Sequence, residues 1–466
     1  MKRKMMKQII VIIILITSNI QLFGINVILT YKVTIDSKQD NQPGNSNNDN
    51  KDKPGKTISI EKYVLFDDGY MVKQDSSAHV KTIYDFNSEK VTTIRNNFYD
   101  IVPLFSIINY RATELQNREF LSGALKAGGL NDVFGGLFGL ETLLVIEDKP
   151  NKFKSDIKEE KNNNNVDYYF KKDKVVKVEY SNYKLDGRFR NIFTKLLIYN
   201  TNTHPLIINS MVQNGFIPKY IGYSYSNADN HYTVKYELIE FSGKEESLEN
   251  LMSTKGLSLD TVNCDSMELL INKIYYKVSK TTIPLLTKDE CIIKNKAFIE
   301  KEKYLDALLT LFEYLLQSGD QPADAIKQTM IYLNKDKDLK TFVDAINSEI
   351  TKEALQKSIH KLESIDQNKY EKGYLINIFL ANFYTNIGFN KSWTYFHKVL
   401  VKNPYVTGVY KDLGEYYSNN FDMDNAWKCF DIAVLLNKNN PISKDIENLK
   451  SKYRTDYPAY FISKTE

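Results

Sequence analysis

The chain has 466 residues, long enough for two or three domains, and 42% of them are hydrophobic, enough for sizeable cores. Lys and Arg total 62 against 58 Asp and Glu, a near-balance that argues against a dedicated nucleic-acid binder. The three cysteines, Cys264, Cys291 and Cys429, include no CxxC and argue against a disulfide framework. Cys264 and Cys291 could still pair in an oxidising compartment.

Lys2, Arg3, Lys4 and Lys7 precede the aliphatic run Ile9–Ile16, and diluted apolar character continues to about Thr30. A cationic flank followed by such a run is the pattern of an export signal, and the whole is long enough to span a bilayer. Residues 1–30 therefore read as a signal peptide or a membrane anchor. Both predict an exported body, periplasmic or tethered to the membrane by its N-terminus. Residues 31–56, dominated by Asp, Asn and Lys, lack the apolar payload to offset ordering entropy and read as a disordered linker.

From 57 to 245 the hydrophobic period is two. Ile58–Leu65 and Tyr70–Lys73 flank the turn Asp67-Asp68-Gly69, and Val80–Phe86 and Val91–Ile94 flank Asn87–Lys90. Val166–Phe170, Val175–Tyr180, Lys195–Tyr199, Tyr220–Tyr225 and His231–Phe241 continue the pattern, which predicts an antiparallel sheet. Leu104–Leu125 reads as a helix. The charged stretch 149–161 and Asn162–Asn165 read as an exposed loop. Gly128–Gly139 is Gly-rich and apolar without the Lys-Ser/Thr of a phosphate loop. It reads as a packed connection or a mobile lid over a pocket in the sheet. Strands meandering around a helix, with Asn214-Gly215-Phe216-Ile217-Pro218 before a Tyr-rich hairpin, resemble the half-barrels of lipoprotein-carrier proteins. That resemblance implies an apolar cavity for a lipid or other apolar ligand.

Residues 246–289 read as connecting helices, Glu246–Ser253 and Ser266–Val278. From 290 to 466 the helical period dominates: Tyr304, Ala307, Leu308, Leu311 and Leu315 mark one amphipathic helix, and Ala323–Leu333, Leu339–Ile350 and Lys352–Ile365 follow. Over 373–441 a 34-residue repeat pairs Trp393 with Trp427, Phe396 with Phe430 and Val399 with Ala433. The second copy reads Tyr410-x2-Leu413-Gly414-x2-Tyr417, then Ala426-x3-Phe430 and Ala433. This resembles the tetratricopeptide repeat (TPR), in which small residues sit where two helices cross. Ser443–Tyr453 would cap the last repeat. In that family the first helix of each hairpin lines a groove for protein or peptide segments. By position, the resemblance points to Asn382, Thr385, Asn386, Lys411, Asp412, Glu415, Ser418 and Asn419 as partner-binding. Glu415 stands where a grip on a peptide carboxylate would use Asn.

No metal-ligand spacing links His79, His204, His231, His360 and His397 to one another or to a Cys or carboxylate. No HExxH, GxSxG or Walker sequence occurs, so neither a catalytic set nor a cofactor is assigned. The expected fold class is α+β multidomain, an antiparallel sheet or half-barrel domain followed by an all-α TPR-like solenoid. The expected function is a non-catalytic protein-interaction scaffold in the cell envelope. The alternatives are a carrier for an apolar ligand or lipid in the β-domain and an enzyme with an unrecognised site.

Overall fold

The computed structural model describes residues 26–39, 55–112, 157–170, 172–201, 203–226, 230–244, 246–260, 265–388 and 391–462. The apolar run before Ile25, the polar stretch 40–54, the Gly-rich segment 128–139 and Cys264 lie outside them. The chain divides into a sheet unit, Met1–Leu104, Arg111–Ser258 and Arg454–Glu466, and a helical unit, Phe105–Tyr110 and Leu259–Tyr453.

The sheet unit is built on an open antiparallel sheet of twelve strands. In chain order these are β1 (Asn26–Gln39), β2 (Lys56–Phe66), β3 (Tyr70–Asp75), β4 (Val80–Asp85), β5 (Lys90–Arg95), β6 (Phe98–Pro103), β7 (Ile157–Asn162), β8 (Asn165–Phe170), β9 (Asp173–Lys184), β10 (Phe216–Ser226), β11 (Asn230–Lys244) and β12 (Ser258–Leu259). Their spatial order is β12-β6-β5-β4-β3-β2-β1-β11-β10-β9-β8-β7. Two meanders, β2–β6 and β7–β11, are thus joined by β1, which pairs with β2 on one side and β11 on the other. The turn after β2 is made by Gly69, whose φ of 95° suits only glycine comfortably. One edge is the short β12. The other, β7, carries Lys158, Glu159, Glu160 and Lys161, charges that discourage pairing with another chain.

Three sequence expectations are corrected here. Residues 26–39 are the central strand, not the end of an anchor followed by a linker: Val27, Leu29, Tyr31 and Val33 alternate into the core, and that burial outweighs the flanking polarity. The charged loop expected before Asn162 is in part the edge strand β7. Lys195–Tyr199, read as a strand, lies in helix α1 (Gly187–Asn200), capped by Asp186, whose side chain accepts from Arg188 N. Phe189, Ile192, Phe193, Leu196 and Leu197 follow the helical period, but helix and strand cannot be told apart in so short an apolar run. Helix α2 (Pro205–Gln213) follows, and both pack on the inner face of the sheet.

The helical unit holds α4 (Ser266–Lys280), α5 (Lys288–Glu300), α6 (Tyr304–Ser318), α7 (Ala323–Met330), α8 (Lys337–Ile346), α9 (Lys352–Glu363), α10 (Ile376–Asn386), α11 (Ser392–Lys402), α12 (Thr407–Asn419), α13 (Met423–Leu436) and most of α14 (Pro441–Asp456). The short α3 (Leu248–Met252) belongs to the sheet unit. Helices α10 and α11, and α12 and α13, pack as pairs over the stretch where the repeat was read. Leu413, Ala426, Trp427 and Phe430 are buried. A Cβ added at Gly414 would stand 2.5 Å from the Phe430 ring, so the glycine lets the helices approach.

An extended solenoid is not what these helices build. In a solenoid each repeat touches only its neighbours. Here α6 is buried on nearly all sides and packs against α5, α7, α8 and α12, with Leu316 against Gly408 of α12. The sequence L-L-T-L-F-E-Y-L-L is apolar all round and therefore belongs at the centre of a bundle. The repeat partners also diverge. Trp427 is fully buried, stacked on Phe105 at 4.9 Å, whereas Trp393 is 37% exposed. Cys291 and Cys429 are both buried and free, and Cys264, the partner considered for Cys291, lies outside the described residues.

Gly414→Ala tests the close approach. On an open helix this change would stabilise by up to about 1 kcal/mol; here overpacking should lower stability by about 1–3 kcal/mol in a urea melt. An unchanged or raised stability would contradict the geometry. His204 supplies a second test. Its Nδ1 accepts from Leu206 N at 3.1 Å, capping α2, and burial lowers its pKa to about 4. Between pH 6.5 and 4 the unfolded chain binds this proton and the folded one does not, so stability falls as pH falls. His204→Asn keeps a capping acceptor and should remove about 3 kcal/mol of that pH dependence. Identical pH profiles for the two proteins would refute it.

Candidate functional site

Neighbouring positions across an antiparallel sheet share a face, so the register defines two rows over the β1–β6 half. On the inner face run Val27, Leu65, Met71, Tyr84 and Val91; on the outer face run Ile28, Val64, Val72 and Ile83, all buried. Thr92 and Ile101 extend the outer row, half-buried, and Ile94 and Tyr99 lie buried beside it. Over this half one row on each face is apolar, while the next outer-face row, Thr30, Lys62, Gln74 and Lys81, is polar.

The β8–β11 half behaves differently. Its inner face is apolar, with Val166, Tyr168, Val176, Val178, Ile221, Tyr223, Val234 and Tyr236 buried. Its outer face is ionic: Lys174 pairs with Asp167 at 2.5 Å, Lys177 with Glu179 at 2.7 Å and Lys32 with Glu237 at 3.7 Å. One solvated face is the ordinary state of an antiparallel sheet. The β1–β6 half departs from it.

The inner face is sealed. Tyr31 donates to Pro218 O at 3.0 Å, Tyr180 to Met211 O at 2.9 Å and Tyr236 to Asn200 O at 2.7 Å. Burial raises the Tyr31, Tyr84, Tyr180 and Tyr199 phenols above their ordinary range. Arg111 donates to Ile198 O and Tyr199 O at the end of α1, and Lys195 donates to Ala459 O at 2.6 Å. Burial brings the Lys195 ammonium down to about 8. Glu61, buried on the same face, is held by Lys73 at 2.8 Å and by the Tyr63 hydroxyl. Each of these buried charges already has a partner.

The outer face of β1–β6 is crossed by residues 246–258. Asn26 Nδ2 donates to Glu246 O at 2.6 Å, Lys62 pairs with Glu246 at 2.7 Å, Lys81 Nζ donates to Leu251 O at 2.6 Å, and Ser258 N donates to Asn97 O. The tethers are polar: Asn26 and Asn97 lie at strand ends, and Lys62 and Lys81 lie in the outer-face row beside Val64 and Ile83. The helix they carry, α3, buries none of its residues fully; Leu248, Leu251 and Met252 are half-buried. The apolar lid expected at 128–139 lies outside the described residues.

In the helical unit, four of the residues assigned to a groove come together. Asn382 Nδ2 donates to Asp412 Oδ2 at 2.7 Å, joining α10 to α12, and Lys411 lies 2.8 Å from Glu415 and 3.8 Å from Asp412. Burial raises the Asp412 carboxyl above its ordinary value. Thr385 turns back to Ala381 O and to Ser392 Oγ within its own pair. Asn386 and Asn419 are exposed and Ser418 is half-buried, at the ends of α10 and α12. A polar group that sequence reading missed sits against α6. Glu313 accepts from Tyr374 and Asn403, each at 2.6 Å, and pairs with Lys372 at 2.8 Å. Asp306 accepts from Lys372 N, and burial raises its pKa. Its sequence signal was the buried polar residues Asp306, Thr310, Glu313 and Gln317 inside an apolar helix. Among the described residues no group of three or more His, Cys, Asp or Glu could hold a metal ion, and no helix is long and apolar enough to cross a membrane.

No known protein family matches the chain, and no curated protein matches it. Among solved structures, one described as lipid-protein interactions in lipovitellin overlaps 93% of this chain and 56% of its own, at 10% identity and a TM-score of 0.20. This chain thus spans little more than half that protein's length, and a TM-score so low establishes no common fold.

Proposed function

We propose that the protein is a non-catalytic carrier of an apolar ligand, a lipid or free acyl chain, held between the outer face of β1–β6 and residues 246–258. The observation that carries this reading is the outer row Ile28, Val64, Val72 and Ile83, apolar where the other half of the sheet is ionic, beside a segment, 246–258, bonded to that face through polar side chains. Burial of apolar surface supplies about 25 cal/mol per Å2, so an acyl chain filling this seam gains affinity without any polar catalyst. The cationic and apolar N-terminal sequence supports export to the cell envelope as the place of action.

A second reading is kept for the helical unit. The paired helices α10–α11 and α12–α13 and the Asn382–Asp412 bond align the first helix of each pair. A protein segment docking there would meet Asn382, Lys411, Asp412 and Glu415, with Thr385, Asn386, Ser418 and Asn419 towards the helix ends.

The test is native purification of the full chain, solvent extraction and mass spectrometry of the extract. The carrier reading predicts lipid in near-stoichiometric amount. Leu251→Glu would put a charge on the half-buried apolar side of the cover and should reduce it at least about tenfold. A lipid-free protein that also fails to bind a fluorescent fatty acid would overturn the carrier reading and leave the docking one.

A further inference from the structure

The register fixes which end of the sheet lies next to the apolar N-terminal sequence. Asn26 begins β1 and pairs with Lys244 at the end of β11, and Phe241 lies opposite Leu29. Phe216, the first residue of β10, pairs with Lys184, the last of β9. All these residues therefore occupy the end at which the chain emerges from the undescribed segment ending at Ile25. In the sequence the aliphatic run ends at Ile16, with nine residues, 17–25, between it and the start of the central strand.

The same end carries aromatic rings that have no reason to face water. Tyr183 is 50% exposed and stacks on the half-buried Phe241 at 4.7 Å. Phe216 is 37% exposed, with Lys184 Nζ 5.6 Å from its ring centre. Arg190 Nη2 and Lys184 Cε both border Gly215, next to Phe216. Lys184 and Lys244 are exposed. Asp67 and Asp186, acids of this same end, are both bound by Arg188. Tyrosine, phenylalanine and basic side chains together suit the polar–apolar boundary of a bilayer, where the ring is half immersed and the cation meets lipid phosphate.

We infer that this end of the sheet, formed by Tyr183, Lys184, Arg190, Phe216, Phe241 and Lys244, rests on the surface of an anionic lipid bilayer. A bilayer fits this end because the basic, aliphatic N-terminal sequence enters the sheet here through β1 and because cations and aromatic rings pair on the β9–β11 side. The inference rests on the reading of residues 1–25 as membrane-directed and is independent of the carrier site. A bilayer-facing end would give an acyl chain a short path to the seam, since Ile28 and Val64 lie near the same end of the sheet.

The test uses the full chain with Cys264→Ser, Cys291 and Cys429 being buried. An environment-sensitive dye is placed at Tyr183→Cys or, as control, at Ser77→Cys in the turn after β3, at the opposite end of the sheet. The protein is incorporated into vesicles of phosphatidylcholine and phosphatidylglycerol. At 183 the emission should shift to the blue and be quenched by brominated lipid; at 77 it should stay water-like. Tyr183→Glu with Phe216→Glu, in a chain carrying the dye at Phe241→Cys, should abolish the shift there while flotation with the vesicles persists. Water-like emission at 183 on floating protein overturns the surface contact alone. Equal shifts at 183 and 77 also overturn it, because they remove the orientation. Failure of the full chain to float overturns the membrane-directed reading with it. Lipid copurification, measured on the same preparation, reports separately on the carrier site.

Discussion

The sheet depends on β1. Two meanders of five strands would each present a long unpaired edge at β2 or β11, and β1 satisfies both at once, running against β11 over its full length. The fit is adjusted by one bulge. Thr30 and Tyr31 oppose Glu240 and Leu238, so Ile239 is left out of the ladder and turns to solvent. Tyr31 then fills the middle of the inner face, edge-on to Tyr63 and Tyr236, and donates to Pro218 O. The strand that closes the sheet is also the one that carries the N-terminal sequence, which gives the sheet a defined end with respect to it.

The two halves that β1 joins have different outer faces, and chemistry follows from that difference. Over β8–β11 the outer face is finished by ion pairs, each worth little on an exposed surface but sufficient to keep the face wetted. Over β1–β6 the corresponding row is Ile28, Val64, Val72 and Ile83, all buried, and residues 246–258 are bonded to the same face through Lys62, Lys81 and Asn26. Residues 246–258 are held by polar contacts and bury no side chain of α3 fully, features that go with low local stability. The helical unit is the opposite case: Glu313 and Lys372 are paired and bonded, and α6 is enclosed by its neighbours.

Much of this was legible in the residues. The hairpins around Gly69 and Asn87 and the helix pairs over 373–441, with Gly414 at the crossing, follow from period and turn chemistry. What was not legible came from tertiary context. Val27 to Val33 alternate properly for a strand, yet they follow an apolar run and precede a polar stretch, so composition pulled the reading towards an anchor and a linker. Phe189 to Tyr199 is too short and too apolar to separate helix from strand. The 34-residue period was real in the helix pairs but could not reveal that α6 packs back on α12, because that contact is made by Leu316 and Gly408, 92 positions apart. Of the groove assignment, the Asn382–Asp412 bond and the Lys411–Glu415 pair place four residues together. The seam over Val64 and Val72 was hidden because a row buried on the second face looks, in sequence, like any apolar strand.

Hydrogen exchange of residues 246–258 tests the central claim most directly. In lipid-extracted full chain these amides should exchange rapidly, and adding a fatty acid should slow them severalfold while the amides of β1 and β2 remain protected throughout. Equal and strong protection of 246–258 in both states would mean that the cover is a permanent part of the core, and that the outer face of β1–β6 holds no exchangeable ligand.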